Sequence, residues 1–257
     1  MAVNPSITAY GLDENFNLQL ARGQIHNHSH VFKYGFNATV GTSTDTIWLQ
    51  EGSYTWPTAA SVLKVTSDST DDDVAGTGAL TVILEGLDAD YAEISETVIL
   101  TGQVSKNTTK SYLRLHRMYV VTAGTGLTNA GVIYAFTGAH TDGTPDVATT
   151  IRSTIGATEG QTLQAFYTVP AGYTAYMSHA SAGSVDGTNA TTMTLRKREF
   201  GGAFRVVEKF ICFKGTENID HAIPLKFIEK TDIEVLGDAA ASTTDVAADF
   251  DLILVKN

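Results

Sequence analysis

Three histidines at alternating positions, His26, His28 and His30, form the group in this sequence best suited to bind a metal. In an extended strand, side chains two residues apart lie on the same face, so the spacing predicts one row of imidazoles. Imidazole is a ligand for zinc, iron, nickel and copper. Neighbours in such a row are about 6–7 Å apart, too far for all three to bind one ion. Two alternatives follow: a metal held by a pair or by histidines from several subunits, or histidines that form hydrogen bonds or lie at an interface.

Two acidic stretches, residues 68–73 and 142–146, carry carboxylate oxygens of the kind that bind calcium. The first stretch lacks the glycine at the sixth position and the closing glutamate of an EF-hand loop. A solvated turn between strands is the simpler interpretation of both stretches.

Nucleophilic catalysis finds little support in the sequence. There is no Gly-x-Ser-x-Gly motif. His116 and His179 could each act as a base, but both occupy polar positions on alternating strand-like segments. The one cysteine, Cys212, stands in an apolar run and is predicted to be buried, whereas a reactive thiol needs a partly exposed, electropositive environment. We therefore expect no enzymatic activity and no cofactor.

Carbohydrate chemistry would need paired carboxylates or exposed aromatic side chains. The closest set of carboxylates flanks a predicted turn and is expected on the surface: Asp88, Asp90, Glu93 and Glu96. The aromatic candidates for a glycan-binding face are Trp48, Tyr54, Trp56, Tyr173 and Tyr176. Both tryptophans lie in apolar, strand-like segments, so burial is predicted for them.

The charge of the chain excludes a general nucleic-acid binder. Formal net charge is −11, and the one concentrated basic stretch is Arg196, Lys197 and Arg198, with Arg205 and Lys209 nearby. A protein that binds nucleic acid without sequence preference needs a basic face to displace counterions from phosphates. Ion pairs on a solvated strand or between subunits are the alternative for these residues. No apolar run approaches the length of a membrane span, so neither nucleic acid nor membrane is expected as a partner.

The composition is typical of a β protein that packs against other subunits. Hydrophobic residues make up 43% of the 257 residues, enough for a core, while charged residues make up 18%. Threonine, serine, alanine and glycine replace the missing charge and predict a neutral, hydroxyl-rich surface. A single cysteine excludes an intrachain disulfide, which suits assembly in a reducing cytoplasm.

Apolar and β-branched residues recur in short runs separated by glycine, asparagine, aspartate and serine, which predicts about a dozen strands. The clearest runs are residues 46–49, 61–66, 79–85, 93–101, 111–123, 131–136, 164–169, 174–180, 191–198, 203–213, 232–237 and 249–255. Several alternate between one apolar and one mixed face, as in antiparallel sheets packed on a core. No strand–helix–strand unit is apparent. The fold class predicted is all-β, with two β-sandwich or jelly-roll-like domains and an extended N-terminal arm.

Turn-rich residues 139–160 suggest a linker between residues 46–138 and residues 161–257, each a β-sandwich. One long sandwich over both blocks is the alternative. Residues 1–45 are weakly patterned and predict either an arm that reaches a neighbouring subunit or an edge strand of their own domain. The candidate assembly residues in this segment are Leu18, Leu20, Ile25, Val31, Phe32, Tyr34 and Phe36.

Several segments resemble a family of uncharacterised virion structural proteins of marine and environmental tailed bacteriophages. They include Ile47-Trp48, Tyr54-Thr55-Trp56-Pro57, Gly76-Thr77-Gly78 and residues 63–72, 79–82, 86–91, 99–102, 112–114, 123–131, 168–176, 223–225 and 230–235. The resemblance extends over roughly residues 16–257, and its motifs belong to turns and core, not to catalysis. It implies a particle component built of β-sandwiches: a capsid decoration or head-associated protein, a neck protein, or a tail accessory.

Together these observations predict a non-enzymatic structural protein of a tailed-phage virion, assembled in the bacterial cytoplasm. Its expected partners are copies of itself, as a trimer or higher oligomer, and other virion proteins such as the major capsid, portal, neck or tail proteins. The alternative is a tail module that binds a receptor or a glycan.

Overall fold

The computed structural model describes residues 15–257. Within this range the chain forms one short α-helix, one 3-10 turn (Ala148–Thr150) and eighteen strands, and all paired strands are antiparallel. The predicted all-β fold with β-sandwich architecture is confirmed. The α-helix is too short to cross a membrane, and the range contains no other helix that could.

The elements follow one another as strands with a single helix at the start. The first half of the chain contains α1 (Phe16–Ala21), β1 (His28–Val40), β2 (Asp45–Thr46), β3 (Ser61–Ser67), β4 (Ala79–Leu87), β5 (Glu93–Ile99), β6 (Lys106–Tyr112), β7 (Arg114–Ala123) and β8 (Ile133–Phe136). The second half contains β9 (His140–Thr141), β10 (Thr144–Pro145), β11 (Ile151–Ile155), β12 (Phe166–Thr168), β13 (Tyr173–Ser184), β14 (Thr191–Arg198), β15 (Arg205–Cys212), β16 (Gly215–Phe227), β17 (Asp232–Ala239) and β18 (Thr244–Lys256).

The main sandwich consists of strands from both ends of the described chain. One of its sheets has the order β1-β18-β13-β16, and the other has the order β12-β17-β14-β15 with β2 added beside β17. Strand β18 shows why these residues form a sheet facing a core. Its alternate residues Val246, Ala248, Phe250, Leu252 and Leu254 are buried against the second sheet, while the intervening ones are only partly buried.

The inserted sandwich consists of the strands between β2 and β12. Its sheets have the orders β11-β8-β3-β6 and β5-β4-β7, and strands β9 and β10 form a separate ribbon. The two sheets share a core whose largest buried members include Leu63, Leu84, Leu115, Met118 and Ile133. The chain therefore starts the main sandwich, builds the inserted one, and returns to complete the first.

This connectivity differs from the sequential domains predicted from the sequence. Residues 28–40 form the edge strand β1, as the edge-strand alternative predicted, but in a sheet that also contains β18 from the other end of the chain. Residues 139–160, assigned to a linker, include β11, which pairs with β8 inside the inserted sandwich. Spacing along the chain could not reveal this, because strand partners are set by pairing at long sequence separation.

Most of β6 and all of β16 were not predicted as strands from the sequence, for a physical reason. Strand β6 is polar along most of its length, and most residues of β16 are exposed on both faces. Neither strand therefore alternates between apolar and polar residues, which is the signal that indicates a half-buried strand.

An aromatic cluster joins the two sandwiches. Phe136 and Ile151 from the inserted sandwich pack with Trp48, Tyr54 and Phe166. The Tyr54 and Phe166 rings are stacked with centroids 4.2 Å apart, and Trp48 meets Tyr54 edge-on at 5.1 Å. Such packing fixes the relative placement of the two sandwiches.

Candidate functional site

Strand β1 is the element on which most of the predicted assembly residues lie. Among the strands of residues 15–257 it is the edge of its sheet and pairs only with β18, so no strand of that range lies along its other side. Residues alternate along it: Lys33 and Asn37 are buried, whereas Phe32 and Tyr34 are 56% and 37% exposed. A long edge strand with exposed aromatic side chains is a template for pairing with another chain.

The predicted assembly residues separate into two groups in the structure. Phe32, Tyr34 and the half-buried Phe36 share the outer face of β1, while Val31 packs against the core of the main sandwich. In α1, Leu18 is 50% exposed and Leu20 is buried, and Ile25 is half-buried after the helix. We name Leu18, Phe32, Tyr34 and Phe36 the β1 surface.

Helix α1 is held at one end of this surface. Its first turn is capped by Asn15, whose side-chain oxygen accepts a hydrogen bond from the Asn17 amide at 2.8 Å. Leu20 and Asn17 line a small cavity together with His30 and Asp251 of the outer sheet face. The helix thus covers the end of the sheet at His30 and leaves the outer face from Phe32 to Phe36 uncovered.

The three histidines do not share one strand face. Strand β1 begins at His28, and His26 lies in the preceding turn, where Asn27 has a φ of 60°. The ring of His28 forms a hydrogen bond with the His26 carbonyl oxygen at 2.8 Å, and the ring of His30 with the Asp251 carboxylate at 2.6 Å. Among residues 15–257, no group of three or more histidine, cysteine, aspartate or glutamate side chains is arranged to hold a metal.

The outer face of the same sheet carries further polar pairs. The His179 ring lies 2.8 Å from an Asp220 carboxylate oxygen, and the Ser181 hydroxyl donates to Asp249 at 2.6 Å. His179 is 4.0 Å from Asp249, and it does not contact the serine hydroxyl through any hydrogen bond. The serine hydroxyl therefore has a carboxylate, not an imidazole, as its acceptor, which is not the geometry that activates a nucleophile.

A buried charged network that local sequence patterns do not reveal connects the sandwiches. Arg114 of β7 donates from Nε to Asp232 of β17 at 2.9 Å, and both side chains are at most 5% exposed. Asp232 also accepts from Arg198 at 2.6 Å and from the Thr168 hydroxyl at 2.6 Å. The one signal in the sequence was the basic stretch around Arg198; its buried carboxylate partner lies 34 residues away.

A second carboxylate extends this network. Glu234 is fully buried and accepts from Arg196, from the Thr46 hydroxyl at 2.6 Å and from the Trp56 indole nitrogen at 3.2 Å. The Arg198 guanidinium also lies over the Trp56 ring at 5.5 Å. Buried charges are tolerated only when paired in this way.

The basic stretch is consequently not a free cationic face. Arg196 and Arg198 pair with the buried carboxylates, and Lys197 and Arg205 both pair with Glu199. The same ion pairs hold the pKa of Glu199 below its usual range. Arginines that are paired with carboxylates attract phosphate groups less strongly than unpaired ones.

Residues 68–73 are ordered around one buried carboxylate. Asp72 is fully buried, and its oxygens accept from the amides of Ala79, Ala130 and Gly131 and from the Ser67 hydroxyl, at 2.6–2.9 Å. The carboxylate thus organises three loops of the inserted sandwich. Its oxygens already accept four hydrogen bonds from protein donors. The predicted solvated turn is therefore only partly confirmed, because Asp72 is buried while its neighbours in residues 68–73 are partly or fully exposed.

The remaining candidates for chemistry are held by packing or by hydrogen bonds. Cys212 is buried, and burial raises the pKa of its thiol to about 11, which keeps it protonated and unreactive. His116 is also buried, its Nε2 accepts a hydrogen bond from the Thr168 amide at 3.2 Å, and burial lowers its pKa well below the usual value. Trp48 is buried as predicted, whereas Trp56 is partly exposed with its indole nitrogen bonded to Glu234.

Comparisons with known proteins add little. No protein-family model matches the chain, and no curated protein is similar to it in sequence. Among solved structures, the PBSX exported protein XepA is 15% identical, with 86% of each chain covered and a TM-score of 0.21. A structure of infectious bursal disease virus, Gt strain, is 11% identical, with 90% of this chain and 73% of that chain covered and a TM-score of 0.19. At such low scores these similarities support no conclusion about function.

Proposed function

We propose that this chain is a non-enzymatic structural subunit of a tailed-phage virion, and that it works by assembling with copies of itself and with other virion proteins. The observation that supports assembly is the β1 surface: a 13-residue edge strand with exposed aromatic side chains on its outer face. Exposed apolar area of this kind, next to an unpaired strand edge, is where subunits associate.

The rigid joint between the sandwiches fits the same role. The aromatic cluster and the buried network of Arg114, Asp232 and Arg198 hold the two sandwiches as one body. A subunit that packs at fixed angles in a particle needs such a body, because each interface is then presented in one geometry. The virion assignment itself comes from the resemblance of the sequence motifs to tailed-phage structural proteins.

The particle position that we propose is head decoration, neck or tail accessory, with the major capsid, portal, neck or tail proteins as partners. The proposed homo-oligomer is a trimer or larger. Detection of the chain by mass spectrometry of purified virions, followed by its placement in a cryo-EM map, tests this assignment. Its absence from the virions would contradict the proposal.

Replacement of Phe32 by glutamate tests the role of the β1 surface. The substitution places a charge on the exposed outer face, so it leaves the core intact while opposing apolar contact with a neighbour. We expect the association constant of the homo-oligomer to fall at least about tenfold, equivalent to about 1.4 kcal/mol. Light scattering coupled to size-exclusion chromatography over a range of concentrations measures it.

The matched control is Val121→Glu, because Val121 is 50% exposed on strand β7, outside the β1 surface. It introduces the same charge at a similar exposed strand position and should leave the oligomer unchanged. Equal loss of association in both variants, or a wild-type chain that remains monomeric at every concentration, would contradict a role for the β1 surface.

A glycan-binding tail module has less support. Trp48 is buried, and Trp56 donates its indole nitrogen to Glu234 and lies beneath Arg198, so its polar edge is already occupied. A specific response on a glycan array, abolished by Trp56→Ala, would favour that alternative.

A further inference from the structure

A cavity of about 450 Å³ lies where the edge of β1 meets the sheet formed by β5, β4 and β7. Its size is within the range of small-molecule sites. Apolar walls come from Val31, Phe32, Ile94 and Tyr167. His30 and Phe32 of the outer face of β1 also line this cavity, but nothing in the assembly proposal uses its charged residues Lys33, Glu85, Glu93 and Arg117.

Lys33 extends inward from β1 and lines this cavity, with only 7% of its surface exposed. Its ammonium group has three N–H donors and donates to one acceptor, the His116 carbonyl oxygen. Burial lowers the pKa of Lys33 to about 7, the nearby Arg117 adds to this effect, and Glu85 opposes it. A buried ammonium group that has one neutral acceptor lacks a nearby negative charge to offset the cost of its burial.

Two carboxylates line the same cavity. Burial, and after it the proximity of Glu85, raise the pKa of Glu93. The two acidic side chains therefore repel each other across the cavity. Arg117, also on the wall, donates to the Gln161 side chain at 2.8 Å and lies over the Tyr119 ring at 4.4 Å, so its contacts are with neutral groups.

The cavity is thus lined by two basic and two acidic side chains that form no close ion pair with one another, although Glu85 lies opposite Arg117 in the β4–β7 pairing. Across residues 15–257, no ion pair within 4.0 Å includes Lys33, Arg117, Glu85 or Glu93. The histidines on the wall do not change this balance: the ring of His30 is bonded to Asp251, and His116 is neutral. Lys33 is buried and Glu85 half-buried, while Arg117 and Glu93 are exposed, so one cavity presents charges of both signs to a ligand.

We propose that this cavity binds a small zwitterion, an amino acid or a dipeptide, with its carboxylate on Lys33 and Arg117 and its ammonium group on Glu85 and Glu93. A simple anion would satisfy the basic pair and leave the acidic pair in repulsion, and a simple cation would do the reverse. The apolar walls suit the hydrocarbon portion between the two charges.

Isothermal titration calorimetry on the full-length chain tests the proposal with glycylglycine and 4-aminobutyrate, which separate their charges differently. Acetate and methylammonium, alone and together, are the singly charged controls. At least one zwitterion is expected to bind at least tenfold more tightly than either control ion. The affinity of 4-aminobutyrate, whose own amino group stays protonated over this range, should fall as the pH rises from 7 to 9, because Lys33 then loses the proton that attracts the carboxylate.

Two substitutions assign the site. Lys33→Met and Glu93→Gln should each weaken zwitterion binding at least tenfold. The matched control is Lys64→Met, because Lys64 also donates to a backbone carbonyl, that of Gly138, but lies outside the cavity. If Lys33→Met does not fold, Arg117→Gln replaces it, since Arg117 is exposed and its loss leaves the core unchanged.

Three outcomes would overturn the proposal: no heat with any zwitterion, acetate binding as tightly as the zwitterions, or unchanged affinity in the cavity variants. Light scattering on the same variants measures the oligomeric state separately, so that loss of zwitterion binding is distinguished from loss of assembly.

Discussion

At the scale of single residues, buried carboxylates carry much of the local order. Asp72 holds loops of the inserted sandwich together through backbone amides, and Asp232 holds two arginines from different sandwiches. In both cases a charged group is stable in the interior because every strong acceptor position has a donor.

Asp232→Asn tests the importance of the buried network. The amide keeps the shape of the side chain but removes the charge that neutralises Arg114 and Arg198. Because a buried ion pair that loses one partner leaves an uncompensated charge, we expect a loss of about 3–5 kcal/mol in the free energy of unfolding, measured by urea denaturation. Asp220→Asn is the control, since the Asp220 side chain is 87% exposed, and it should change stability by about 0.5 kcal/mol or less.

At the scale of elements, β1 combines two roles on its two faces. The outer face presents aromatic side chains to solvent, while the inner face approaches the second sheet so closely that one position requires glycine. A Cβ on Gly35 would lie 2.3 Å from the Ile47 carbonyl oxygen and 2.4 Å from the Ala165 amide nitrogen. These are backbone atoms, which cannot move aside as a side-chain tip can.

Gly35→Ala should therefore destabilise the main sandwich. Relief of the clash requires β1 to move away from Ile47 and Ala165, and we expect a cost of about 1–3 kcal/mol, as for other overpacked cores. Gly41→Ala is the matched control, because a Cβ there has no contact closer than 3.9 Å. Comparable thermal unfolding temperatures for the two variants would contradict the close approach of β1.

At the scale of the whole molecule, one sandwich is inserted into the other. Trp48 and Gln164 form an isolated bridge, and the Leu49 amide donates to the Leu163 carbonyl oxygen, so the chain leaves and re-enters the main sandwich at the same place. The main sandwich consequently depends on β1 and β2 from the other end of the chain.

A fragment of residues 161–257, the second domain predicted from the sequence, should not fold alone. It lacks β1 and β2, so β18 would lose one of its two neighbouring strands and the core around Phe250 would be open. We expect a narrow amide dispersion in its proton–nitrogen NMR spectrum, in contrast to the full chain. A well-dispersed spectrum from the fragment would show that β1 is dispensable.

Much of the fold could be predicted from the sequence, because alternation and turn residues are local signals. The alternating residues of β18, the runs at β4 and β14, and the burial of Trp48 and Cys212 all follow from side-chain type and spacing. That residues 196–198 form no free basic face could be expected from net charge, although not the ion pairs of Arg196 and Arg198.

By itself, then, the sequence determined that the chain is an all-β protein with apolar cores and few candidates for catalysis. Only the tertiary structure decided which strands share a sheet, that β1 completes the main sandwich, that Arg114 meets Asp232, and that Lys33 lies beside Glu85 and Glu93 at one cavity. These relations join residues 50 to more than 200 positions apart, as in the 221 positions between His30 and Asp251. Pairing at such distance depends on packing and backbone hydrogen bonding across the whole molecule, which local spacing does not encode.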